Sequence, residues 1–396
     1  MSSVDDRFPP IGSYGFLSDC HTSALVSFAG NVEWLCVPRF DSPSAFAALL
    51  DRGAGRWSLR PRGVVVPISR RYKPGTLVIE TTWVTETGWL VVHDALTIAE
   101  WTPSGGAGSR PETDHESDRS LLRTLTCIDG EVEVEMECLP RFGYGLHEAR
   151  WSGGELGEAT ARGEDGTELM LTSDMELRIE GGAASGRLHL RENESGFCAL
   201  TWGGGLGGPR SAPEALERLD STEEFWRDWL RDGSFPDHPW RIHLQRSALV
   251  LKGLTYTPTG AILAAPTTSL PETPGGERNW DYRYSWIRDS TFSLWALHTL
   301  GFDQEARDFM RFIVDVCKDH PDLQIMYGIG HERELDEKIL EHLDGYGGAK
   351  PVRIGNGAYD QRQNDVWGAL LDSIYLHEKA LRGGGTQADR ELIRYQ

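Results

Sequence analysis

The sequence predicts an antiparallel β-sandwich followed by paired helices. Three observations predict it. Between Ile11 and about Thr201, short apolar or alternating runs recur between clusters of Gly, Pro, Asn and Asp, the punctuation of antiparallel strands. Beyond Ser221 the apolar residues switch to helical spacing. No repeat of solenoid period crosses that switch, which leaves an α+β unit or two separate domains.

Residues 24–28 and 32–37 are apolar runs around Gly30-Asn31 and read as two strands joined by a tight turn. Strands are then expected at residues 77–81, 90–92, 121–126, 132–136, 169–172, 188–190 and 198–202, with 104–120 a polar loop. Ser221-Thr222-Glu223-Glu224 offers a capping box for a helix that carries Phe225, Trp226, Trp229 and Leu230 and closes at Gly233. Trp240, Leu244, Ser247, Ala248 and Leu251 predict a second helix ending at Gly253, and Ala306, Phe309, Ile313 and Val316 another. Val366, Ala369, Leu370, Ser373, Ile374 and His377 predict a further one, and Thr386 is expected to begin the next.

Composition narrows the function. Of the 396 residues 25% are charged and 39% hydrophobic, the balance of an ordinary globular protein. A net charge of −20 without a basic stripe argues against nucleic-acid binding and suits a neutral or cationic small ligand, or a sugar. Cys20, Cys36, Cys127, Cys138, Cys198 and Cys317 follow neither metal-ligand nor disulfide spacing, so no metal and no cofactor is expected. The start, MSSVDDRFPP, is acidic where a secretory leader is basic, and no apolar run reaches spanning length; the expectation is a cytoplasmic protein with no membrane partner.

The most informative stretch is RNWDYRYSWIRDS, residues 278–290. Trp280, Tyr282, Tyr284 and Trp286 occupy alternate positions and in an extended backbone share one face, with Asp281, Arg283 and Ser285 on the other. Arg288 and Asp289 follow, just before a helix over 291–300 that is expected to show Phe292, Trp295, Ala296 and Thr299 on one side and to be capped by Asp289 or Ser290. A sugar asks for this combination: an aromatic face for its C–H surface, and Arg and Asp to donate to and accept from its hydroxyls. The competing reading is a structural aromatic cluster with a helix cap. Two polar loops, LQIMYGIGHERELD and KPVRIGNGAYDQRQNDVWG, supply more hydroxyl-binding candidates, each of which could equally brace a turn.

Four segments, YGFLSDCHTSALVSFAGNVEWLCVPRFDSP, RSALVLKGLTYTPTGAILAAPTTSLPETPGGERNWDYRYSWIRDS, and MYGIGHERELDE followed by PVRIGNGAYDQRQNDVWG, resemble the prokaryotic branch of glycoside hydrolase family 15, the glucoamylases and trehalases. The resemblance implies an N-terminal β-sandwich over residues 1–210, a linker helix over 211–236 and part of an (α/α)6 six-hairpin toroid over 237–396. It implies an inverting hydrolase that frees glucose from an α-glucosidic bond, with trehalose or a short maltooligosaccharide as substrate. Tyr282, Trp286, Arg288 and Asp289 are then similar to the first sugar subsite. Tyr359 is similar in place to a Trp of fungal glucoamylases.

Inversion needs a protonated and an ionised carboxyl group about 6.5–9.5 Å apart. The W-E-x-R segment that carries the family's acid does not occur in these residues. No catalytic residue is therefore expected within this chain, which reads as an N-terminal portion inactive by itself. Asp289 with Glu332 is a conceivable pair, but the resemblance gives Asp289 to binding and spacing does not set Glu332 opposite it. A non-catalytic saccharide-binding protein and a glycoside phosphorylase are the alternatives.

Overall fold

A computed structural model describes residues 8–98, 118–154, 157–203, 207–318 and 322–382. The expected loop at 104–120 and the helix start at Thr386 fall mostly or wholly outside them. The N-terminal half is two antiparallel sheets that share one strand, Ser120–Leu139. Its C-terminal part pairs with Arg56–Pro61 and Ala183–Arg191, and its N-terminal part with Gly88–Leu96 and Ser195–Trp202. The two sheets close on a core that includes Trp57, Trp83, Leu125, Val134 and Leu200. Side chains of this size each stabilise the fold by about 1.5–3 kcal/mol when fully buried.

The shared strand corrects the sequence reading, which broke it into two runs at Asp129-Gly130. Asp-Gly is a strong hairpin signal. Here Gly130, at φ +66°, stays paired with Gly88, the register shifts at Ile128 between the Trp89–Asp129 and Leu90–Cys127 pairs, and the chain continues into the other sheet. A Cβ at Gly130 would lie 2.0 Å from the Thr87 carbonyl, so only glycine fits. Arg123, fully buried, bonds Asp94 at 2.7 Å and the carbonyls of Trp57 and Gly30 at 3.2 and 2.7 Å, binding one sheet to the other. The predicted hairpin is present as Ser23–Val26 and Asn31–Cys36.

Helix α1, Ala212–Arg231, starts earlier than predicted. Ser211 caps it through the Glu214 amide, and the Glu214 carboxylate accepts from Arg210 N at 2.9 Å. Ser221 and Thr222, read as its cap, lie inside it and donate to the carbonyls of Glu217 and Arg218 at 3.0 and 2.8 Å. The same S-x-x-E grammar occurs twice, and the first copy, with Pro213 in the first turn, wins. Ala215 and Leu219 of α1 pack on Leu122 and Phe197 of the sandwich, while Trp226 and Leu230 join Leu77, Ala248 and Phe302.

Helices α2 (Arg241–Gly253), α3 (Ile287–Thr299), α4 (Gln304–Cys317) and α5 (Asp365–Arg382) follow. The predicted α4 face, Ala306, Phe309, Ile313 and Val316, is buried. Trp240, the first residue of the run that predicts α2, is 61% exposed and sits at its N-cap position. Phe292, Trp295, Ala296 and Thr299 do share one side of α3, and it is the outer one: Thr291, Leu294 and Leu297 face inward while Phe292 is 69% exposed. Both sides of α3 carry apolar residues, and packing against α5, which places Thr291 Oγ1 2.8 Å from Ser373 Oγ, selects the smaller set. No helix among the described residues is long and apolar enough to cross a membrane.

Candidate saccharide site

The stretch 278–290 is not a single strand. Only Ser285–Trp286 pairs, antiparallel to Met326–Tyr327, and Asp281 makes an isolated bridge to Thr268. The polar side of the alternation is a pin. The Arg283 guanidinium grips Asp281 at 2.9 and 2.7 Å and donates to Tyr144 Oη at 2.9 Å and the Ser42 carbonyl at 3.1 Å, both from the sandwich. Arg283 and Asp281 are 1% and 0% exposed. Burial works against the Arg283 charge, but Asp281 beside it holds its pKa well above the ordinary arginine value.

The aromatic side divides, contrary to the expected four-residue wall. Trp280 lies under Arg353, whose guanidinium is 4.3 Å from the ring centroid. Tyr284 is buried, donates to Asp281 at 3.3 Å and accepts from Gly355 N at 3.1 Å. Tyr282 and Trp286 remain together, ring centroids 6.3 Å apart. Trp286 is 8% exposed, and its buried indole Nε1 has no hydrogen-bond partner among the described residues.

Helix α3 begins at Ile287, directly after Trp286, which puts Arg288 and Asp289 in its first turn. Neither Asp289 nor Ser290 caps it: Trp286 holds the cap position without a side-chain bond, and Ser290 Oγ donates to the Ile262 carbonyl at 3.3 Å. The exposed Arg288 guanidinium lies 5.8 Å from the Trp286 ring and 3.8 Å from Asp289. It also reaches Asp365 at 2.7 Å and Gln363 at 3.2 Å, at the start of α5. The Arg288 hydrogen bond holds the Asp365 carboxyl below the usual range, and the reciprocal bond raises Arg288. Asp365 sits 77 positions from Arg288, and no local signal could have joined the two.

Tyr359 stands in the turn Gly357–Asp360, which Asn356 caps by accepting from Ala358 N at 3.0 Å. Its hydroxyl donates to Asp336 at 3.2 Å. It packs in the same apolar cluster as Tyr282 and Trp286 and lines an open cavity of about 610 Å³ with Gln324, Glu332, Arg333 and Glu334. The structure thus gathers Tyr282, Trp286, Arg288 and Asp289 at one helix start and sets Tyr359 on the neighbouring cavity. Among the described residues no group of three or more His, Cys, Asp and Glu side chains is placed to hold a metal ion.

A β-sandwich leading into antiparallel helices is the fold of a bacterial glucoamylase solved in complex with acarbose. The match has a TM-score of 0.55 at 12% identity and covers 84% of this chain and 54% of that one. Sequence comparison is more specific. Residues 240–393 match the model of glycosyl hydrolases family 15, and residues 4–102 match the trehalase-like N-terminal domain. The chain belongs to glycosyl hydrolases family 15 and carries a trehalase-like N-terminal domain. It is 56% identical over 392 residues to a trehalase of Mycolicibacterium smegmatis and 53% identical over 393 residues to one of Mycobacterium tuberculosis. A trehalase of Thermoplasma volcanium is 30% identical over 379 residues. The chain spans 58% of the length of each of these three relatives.

Proposed function

We propose that the surface around Trp286 and Arg288 binds the terminal glucose of an α-glucoside, and that the protein hydrolyses trehalose with inversion. The observation that carries the reading is the pairing of the Tyr282–Trp286 aromatic corner with an exposed Arg288 bracketed by Asp289 and Asp365. The aromatic rings supply the apolar face, the guanidinium donates to two vicinal hydroxyls, and the carboxylates accept from them. The unsatisfied Trp286 Nε1 is one more donor. Trehalose is favoured over maltooligosaccharides by the names of the relatives just described.

Calorimetric titration with trehalose tests this. Arg288→Ala is expected to weaken binding by at least about tenfold, the loss of a charge-assisted hydrogen bond. Unchanged affinity would refute the assignment. We further propose that residues 1–396 bind without cleaving, because Glu332 is not a candidate acid. Although burial raises it, its backbone hydrogen bonds and Arg39 hold this carboxyl below the usual range, so it is ionised at neutral pH. Glucose release by this chain would overturn that statement. Where turnover occurs, NMR of the fresh product should show the β anomer, and the α anomer would exclude inversion.

A further inference from the structure

The cavity beside Tyr359 is linked to the glucose-binding corner through the backbone. Trp286 pairs with Met326, and Ile287 N donates to the Ile325 carbonyl at 3.0 Å. The next residue along, Gln324, forms part of the cavity wall. Its amide nitrogen is committed to the carbonyls of Arg333 and Tyr359 at 3.0 and 2.9 Å, whereas its buried Oε1 has no partner among the described residues. That leaves a fixed acceptor for a hydroxyl donor.

The second acceptor in the wall is Glu332, and the sandwich holds it. Arg39, just past the strand Asn31–Cys36, grips Asp41 at 2.9 and 2.7 Å, lies 5.6 Å from the Tyr256 ring centroid and donates to Glu332 Oε1 at 2.9 Å. Gly330 N donates to the other carboxylate oxygen at 2.8 Å. Between them His331 adopts φ +75°, a left-handed conformation uncommon outside glycine, in a turn closed by Gly328 N on the Glu332 carbonyl at 2.8 Å. Glu332 is thus fixed from both domains, yet its side chain is 43% exposed and lines the cavity. An exposed ion pair contributes little stability, so so many restraints on one carboxylate point to positioning.

We propose that Arg39, reaching over from the β-sandwich, positions Glu332 so that it and Gln324 bind the second sugar ring, the one beyond the bond to be cut. The N-terminal domain thereby sets how strongly a disaccharide is preferred over a monosaccharide. This rests on the reading that Trp286 and Arg288 hold the first ring. A cavity of this size accommodates a pyranose with its water. Two acceptors suit a ring whose hydroxyls must all donate or accept in place.

The test compares glucose with trehalose by calorimetry on the 396-residue chain and its Arg39→Ala, Glu332→Gln and Arg288→Ala variants. Arg39→Ala and Glu332→Gln are expected to weaken trehalose about tenfold or more and to leave glucose within twofold, whereas Arg288→Ala weakens both. Glu332→Gln keeps the shape of the side chain and so guards against a folding defect in Arg39→Ala. Equal losses for both sugars in the Arg39 and Glu332 variants would make the contact interdomain bracing and overturn the proposal, as would no loss for either. If Arg288→Ala changes neither sugar, or the unaltered chain binds neither, the first-ring reading falls and this inference with it.

Discussion

Replacing Arg283 with Met keeps the side-chain volume and removes the charge from a fully buried site. The variant loses the bidentate bond to Asp281, the bond to Tyr144 and the bond to the Ser42 carbonyl. Asp281, 0% exposed, is left as a carboxylate beside Tyr284 with no cation to balance it. Breaking a buried pair by removing one partner costs about 3–5 kcal/mol, most of it the stranded charge. For a protein of this size that lowers the unfolding midpoint by roughly 4–6 °C. The double variant Asp281→Asn with Arg283→Met removes both charges, so its loss should be clearly smaller than the sum of the two single losses. Urea unfolding followed by tryptophan fluorescence measures all three. A single-variant loss under about 1 kcal/mol, or strict additivity in the double, would refute the view that this pair pins residues 278–290 to the sandwich.

Three further outcomes are expected. Gly355→Ala forces a Cβ to 1.9 Å from the Asp336 carbonyl at φ +75°, so it should destabilise the protein by about 1–3 kcal/mol and weaken saccharide binding by displacing the Tyr359 loop; an unchanged melting curve would contradict this. Burial pushes the Cys20 thiol up to about 11 and those of Cys36 and Cys198 to about 12, and only Cys317 of the six is partly exposed. Iodoacetamide at pH 8 should therefore label Cys317 first and the rest only on unfolding, which mass spectrometry reads directly. The Glu332 carboxyl is depressed in the folded state, so its contribution to stability is present above the ordinary glutamate value of about 4.5 and is lost as pH falls through the folded value. The stability difference between the unaltered chain and Glu332→Gln should shrink over that acid range, and a constant difference would count against the Arg39 contact.

Local chemistry is legible wherever one segment decides the outcome. The period-2 runs of the sandwich, the Gly30 turn, the buried face of α4 and the closeness of Trp286, Arg288 and Asp289 all follow from residues within a few positions of one another. The failures and the open choices share a cause. Asp129-Gly130 permits either a hairpin or a bulge, and strands more than fifty residues away choose the bulge. Both faces of α3 are apolar enough to bury, and α5 chooses. The alternation of aromatics in 280–286 predicts a wall only for an extended chain, and the Asp281–Arg283 pin bends it.

The sequence by itself determined a β-then-α chain and the closeness of Trp286, Arg288 and Asp289, because each depends on side-chain type and short-range order. Tertiary structure alone decided that Arg288 is shared with Asp365, that Arg283 enters the sandwich, and that Arg39 meets Glu332 across 293 positions. Those are pairings of charges, and Coulomb's law depends on distance in space, which chain position does not fix.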